Sequence, residues 1–122
     1  CDLICSCTSS TTPVIPTGSV KSGAHLNLIG SFSDEQKEAD SKLIQNAEIF
    51  VDHRTAAKKE AGELISAEIE GIWSFDQIIG DFSQLVQKKA SRSSSEAITL
   101  FKSVGLASWD LIVAETIYRE TN

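Results

Sequence analysis

The chain has 122 residues and a mass of 13.2 kDa, room for one ordinary domain and not for two. Hydrophobic residues make up 41%, enough for a core, and 17 acidic side chains against 11 basic ones leave a formal net charge of −6. That acidity argues against a nucleic-acid partner held through phosphates, and no run approaches the ~18 apolar residues of a membrane span or the pattern of a signal peptide.

The chain opens on Cys1 and contains no Met, so it reads as a processed chain or a fragment. Its three cysteines, Cys1, Cys5 and Cys7, all fall in the first seven residues. A disulfide framework would spread them out. With only His25 and His53 as histidines, no zinc site is assigned. Asp2 to Cys7 reads as a buried strand, with Cys5 and Cys7 on one face as reduced thiols, which points to the cytoplasm. Pro13, Pro16 and Gly18 keep residues 13 to 24 irregular, with room for one turn. His25 to Ile29 alternates and stops at Gly30, a second strand. Asp34 to Asp40 is charged and reads as a solvated turn of helix, opened by capping-box spacing at Ser33 and Gln36. Asp40 to Ala47 is expected as a short helix with Leu43 and Ile44 inward. Glu48 to Asp52 is expected as a third strand.

Thr55 to Leu64, rich in Ala, Lys and Glu, predicts a helix with a solvated charged face that includes Glu60 and Glu63. Ser74 and Gln77 form another capping-box pattern. It is expected to open an amphipathic helix through Lys88, with Ile78, Ile79, Phe82, Leu85 and Val86 on one side. Ala97 to Phe101 reads as a fourth strand. A last helix runs from about Leu106 to Arg119, striped by Leu106, Trp109, Ile112, Val113 and Ile117.

Short strands separated by helices give an α/β fold with a mostly parallel sheet and flanking helices. Ligands of such sheets sit at the carboxyl ends of the strands. Here those ends are Thr8 to Ser10, Gly30 to Ser33 and Lys102 to Val104, rich in hydroxyls and backbone amides. Gly30, without a Cβ, would let a flat ring approach the backbone. His25 is expected to be satisfied by a local hydrogen bond and His53-Arg54 to start a helix, contact with a phosphate being the lesser alternative for that pair. Trp73 and Trp109 read as packing residues.

Two stretches carry a family resemblance. They are Gly23-Ala-His-Leu-Asn-Leu-Ile-Gly-Ser-Phe32 and Ile98-Thr-Leu-Phe-Lys-Ser-Val-Gly-Leu-Ala107. Glu38-Ala39-Asp40, Ile49-Phe50-Val51-Asp52 and Glu60-Ala61-Gly62-Glu63-Leu64 follow in matching order between them. In these blocks, and in Asp2-Leu3-Ile4 with Thr8, Thr12 and Pro13, the chain resembles the ornithine cyclodeaminase/mu-crystallin family over essentially its whole length.

The resemblance implies the carboxyl-terminal part of a Rossmann-type dinucleotide domain, residues 1–105. Residues 106–122 would form a helix returning to a dimerisation domain outside these residues. The glycine-rich phosphate loop and the basic substrate clamp would lie upstream of Cys1. Thr8, Ile29, Gly30, Ser31 and Ser103 take cofactor-binding positions, and Phe32 and Val104 substrate-binding ones; no residue here takes a catalytic position. Phe32 stands where ornithine cyclodeaminases carry an Asp, and a phenyl ring can neither take a proton nor activate water. Gln36 likewise replaces a cofactor-touching Lys. The turn therefore resembles the reductase branch, which uses NAD(P)H to reduce a cyclic imino acid, Δ1-pyrroline-2-carboxylate or Δ1-piperideine-2-carboxylate, as a homodimer. The alternatives within the resemblance are an ornithine cyclodeaminase, an amino-acid dehydrogenase and a mu-crystallin-like binding protein. The 122 residues alone are expected to be inactive.

Overall fold

Strand alternation organises the structure, a computed structural model that describes residues 1–121. Asn122, the end of the expected 106–122 segment, lies outside the described residues. The strands are β1 (Leu3–Ser6), β2 (His25–Leu28), β3 (Glu48–Val51), the two-residue β4 (Gly80–Asp81) and β5 (Thr99–Lys102). All neighbours pair in parallel, in the order β1-β2-β5-β3-β4. Parallel pairing requires crossovers, and these carry α1 (Ser41–Asn46), α2 (Arg54–Glu60), α3 (Gly62–Ile69) and α4 (Phe82–Val86). A longer helix, α5 (Ala107–Thr121), follows β5.

One sheet face carries the core. Leu26, Leu28, Ile49, Val51 and Leu100 pack there with Leu43 and Ile44 of α1, Ala57 of α2 and Leu64 of α3. Across the sheet, His25, Phe50, Thr99 and Phe101 line a groove of about 440 Å³ with Phe82 and Leu85 of α4 and Arg92. Among the described residues no helix is long and apolar enough to cross a membrane.

Most expected elements form where the sequence places them. Asp40 caps α1 by accepting a hydrogen bond from the Leu43 amide at 2.7 Å, which fixes the start of that helix. His25 is satisfied locally, by Thr99 Oγ1 at 2.7 Å and Asn27 Oδ1 at 3.2 Å. Trp73 is buried and meets Phe75 edge-on, while Trp109 packs on Phe82 with ring centroids 4.8 Å apart.

Several expectations need correction. Residues 34–40 form a turn rather than a helix, and Glu38 within them is fully buried. The Gln36 side chain accepts from the Phe32 amide instead of closing a capping box on Ser33. The 55–64 helix breaks at Ala61 into α2 and α3. The break lets Gly62 press against the 33–36 turn, where a Cβ would fall 2.1 Å from the Gln36 carbonyl oxygen. Glu63, expected in solvent, is consequently buried.

The 74–88 helix is also interrupted. Its capping box at Ser74 and Gln77 forms but closes only a short 3₁₀ turn. The Ile79 amide then donates to Ile49 O at 2.9 Å and draws the chain into the sheet as β4. A second capping box, Asp81 with Gln84, opens α4. Cys5 lies in β1 and Cys7 falls just past its end, yet Cys1, Cys5 and Cys7 are all exposed rather than buried. Ser6 and not Cys5 faces inward, because Cys5 lies on the sheet face opposite the core.

Candidate functional site

The strand order makes neighbours of the three carboxyl ends singled out in the sequence, since β1, β2 and β5 are adjacent. Beneath that rim lie buried charged side chains, which bind the rim segments to one another. Glu38 joins the ends of β1 and β2. Its Oε1 accepts from the Ser6 hydroxyl at 2.7 Å, the Thr8 amide at 2.6 Å and the Thr8 hydroxyl at 3.0 Å. Its Oε2 accepts from the Gly30 amide at 2.8 Å. Burial pushes the Glu38 carboxyl up, but these hydrogen bonds outweigh it and hold the group below the usual range.

Gly30 packs more tightly than the sequence indicates. A Cβ at this position would fall 2.0 Å from Thr8 O and 2.1 Å from Thr8 N. The missing side chain therefore serves the approach of the two strand ends. Ile29 and Phe32, on either side of this turn, project outward with 44% and 59% of their surface exposed.

A second tie runs under β2 and β5. Lys102 ends β5 on the core face, two residues after Leu100, and is fully buried. Its ammonium donates to Leu28 O at 3.3 Å and to Ser31 O, and pairs with Glu63 Oε1 at 3.5 Å. The other Glu63 oxygen accepts from the Ser31 hydroxyl at 2.5 Å. Burial raises the Glu63 carboxyl and lowers the Lys102 ammonium from their ordinary values, with their mutual attraction acting against both shifts.

Asp52, just past β3, makes the third tie. One of its oxygens accepts from the Ser103 hydroxyl at 2.8 Å, the Val104 amide at 2.8 Å and the Gly105 amide at 2.9 Å. That fixes the turn from β5 into α5. The hydroxyls of Ser31 and Ser103 are thus turned inward, while Thr8 and Val104 stay half-exposed at the rim. His53 precedes the first turn of α2 without a side-chain capping hydrogen bond, so the helix starts where the sequence suggests, and the Arg54 guanidinium reaches Ile78 O at 3.1 Å and Gln84 Oε1 at 3.3 Å.

Sequence reasoning missed all of these anchors. Strand parity could have found Lys102, which shares its face with Leu100. Glu63, set between Ala61-Gly62 and Leu64, sits among residues too small or too apolar for a solvated face. The arrangement itself is a rigid rim with apolar side chains outward and its charges spent internally. It can orient a ligand and exclude water, and neither the outward side chains of Ile29 and Phe32 nor that of Val104, half-buried against the core, offers a group to move a proton.

The sequence profile of the ornithine cyclodeaminase/mu-crystallin family matches residues 1–122. A Delta(1)-pyrroline-2-carboxylate reductase of Colwellia psychrerythraea is 37% identical over 117 residues, covering 95% of this chain and 37% of the relative. The solved Delta(1)-pyrroline-2-carboxylate reductase of Thermococcus litoralis, in complex with NADH and L-proline, superposes with a TM-score of 0.91 at 30% identity, over 96% of this chain and 36% of that one. An archaeal alanine dehydrogenase dimer with bound NAD superposes with a TM-score of 0.89 at 32% identity, over 98% of this chain and 37% of that one. The chain spans 36–38% of the length of the curated relatives it matches.

Proposed function

The chain belongs to the ornithine cyclodeaminase/mu-crystallin family, and from that membership we propose that the whole protein reduces a cyclic ketimine, Δ1-pyrroline-2-carboxylate or Δ1-piperideine-2-carboxylate, with NAD(P)H. The observation that carries the reading is the Ile29–Phe32 turn, tied down from beneath and ending in an outward phenyl ring. Likeness to the reductases supports it.

The residues present suit the nicotinamide half of such a cofactor. Ile29 and Phe32 offer exposed apolar surface beside the half-exposed Thr8. No Gly-x-Gly-x-x-Gly loop occurs among the 122 residues, so the phosphates would be held elsewhere in the protein. When bound, NAD(P)H supplies the hydride that the imine carbon receives. Thr8, Ile29, Gly30, Ser31 and Ser103 would form the cofactor wall, Ser31 and Ser103 through their backbone because their hydroxyls are committed to Glu63 and Asp52. Phe32 and Val104 would border the imino acid and keep water out. A cyclic iminium carbon is already electrophilic, so a side chain without a proton suffices at position 32.

In this reading residues 1–105 are the carboxyl-terminal half of a Rossmann-type domain, and 106–122 return to the dimerisation domain of a homodimer. The free thiols suit the reducing cytoplasm.

The test is an assay of the whole protein with pyrroline-2-carboxylate and NADH or NADPH, run beside the purified 122-residue chain. The expected result is cofactor oxidation by the whole protein and none by the shorter chain. Ammonia release from ornithine without ketimine reduction would overturn the reading in favour of a cyclodeaminase.

A further inference from the structure

The Lys102–Glu63 pair is an unexpected thing to find under this rim. Two ionised groups with fully buried side chains cost several kcal/mol each in lost hydration, and an apolar pair of like volume often stabilises a fold as well or better. Its geometry indicates what it does. An ammonium has three protons to donate. Here two of them meet the carbonyl oxygens of Leu28 and Ser31, and the charge faces the Glu63 carboxylate at 3.5 Å. The two carbonyls bracket Ile29 and Gly30, so one side chain fixes both ends of the turn. Glu63 closes the loop by taking the Ser31 hydroxyl, and its Oε1 has no hydrogen-bond partner, facing only the Lys102 charge. The pair therefore joins the end of β2, the end of β5 and the first turn of α3 at one point.

We propose that Lys102 and Glu63 are positioning residues which hold the Leu28–Ser31 turn in the conformation that receives the nicotinamide ring. This rests on the reading that the rim binds a nicotinamide cofactor. Neither residue touches the cofactor. Both act through the backbone of the turn whose outward side chains are Ile29 and Phe32. The effect should thus fall on the nicotinamide end of the cofactor and spare the adenosine end.

The test uses the whole protein and the double variant Lys102→Met/Glu63→Gln, which removes both charges, keeps side-chain volume and leaves Ser31 an acceptor. The variant is expected to fold, with an unchanged far-ultraviolet circular dichroism spectrum, and to bind ADP-ribose within about two-fold of the unmodified protein. It should lose the fluorescence enhancement of bound NADH, and kcat for ketimine reduction should fall about ten-fold or more. Unchanged NADH fluorescence and kcat would overturn the proposal, and so would an equal loss of ADP-ribose and NADH affinity, which marks a general structural role. If the double variant does not fold, Glu63→Asp is read in the same way, since it keeps both charges and withdraws the carboxylate by one methylene. An unmodified protein that binds NADH without reducing the ketimine sinks the proposed substrate, while the fluorescence comparison still decides the role of the pair. Absence of NADH binding to the unmodified protein would sink both.

Discussion

Gly30 shows how much of the rim depends on one missing methyl group. A Cβ there would lie 2.0 Å from Thr8 O, and backbone atoms cannot step aside as a flexible side chain would. Gly30→Ala should therefore force the ends of β1 and β2 apart and cost about 1–3 kcal/mol or more. Urea unfolding of the whole protein checks this; a loss within experimental error would mean that the strand ends yield. Glu38 secures the same two ends by charge. Replacing it with Gln turns a four-way acceptor into a group with one good acceptor and an unwanted donor, at a cost of about 2 kcal/mol. The pH dependence has a definite sign. A carboxyl held lower in the folded protein than its ordinary 4.5 adds stability that is complete above 4.5 and is lost as pH falls through the folded value. Stability should thus decline on acidification below about pH 4.5, and Glu38→Gln should flatten that limb. An identical acid limb in the variant would show that other carboxyl groups govern it.

The helices divide into those that the sheet needs and one that it does not hold. α1 and α3 bury Leu43, Ile44 and Leu64 and are short because the sheet supplies their stability. α5 runs for 15 residues with none buried, and Ile112, Val113 and Ile117 are more than half exposed. A helix of about that length is marginal in water without a packing partner. Ile117→Asp should then lower the urea midpoint of the whole protein by an amount equivalent to about 1.5–3 kcal/mol, the worth of a covered isoleucine. An unchanged midpoint would mean that this stripe stays in water. Elements were legible from sequence where periodicity was unbroken, as in β2, α1 and α5. They were misread where a tertiary contact cut across a helical pattern. Ile79 pairing with Ile49 ended one expected helix, and Gly62 against the 33–36 turn bent another. Those contacts join residues far apart in the chain, and no local pattern announces them.

For the molecule as a whole, the α/β class and the parallel sheet followed from the alternation of short strands and helices, and the rim followed from the strand ends. The hidden part was electrostatic. Glu38, Glu63 and Lys102 look in sequence like ordinary surface charges, because their burial is decided by which strands become neighbours. The outward side chains at positions 29 and 32 were nameable from the sequence, while the inward ones that fix them were not.

That neighbour order also bears on how the protein is made. Among the described residues β5 is the last strand to leave the ribosome, yet it sits third in their sheet order, bonded on one side to β2 and on the other to β3. Among the five described strands, β1 with β2 and β3 with β4 are joined only through residues 99–102. Lys102 arrives with that last strand, so its charge enters only as the gap closes. Glu63 thus goes without its counter-ion until Lys102 follows it out, and the same strand that joins β2 to β3 brings the charge that faces it.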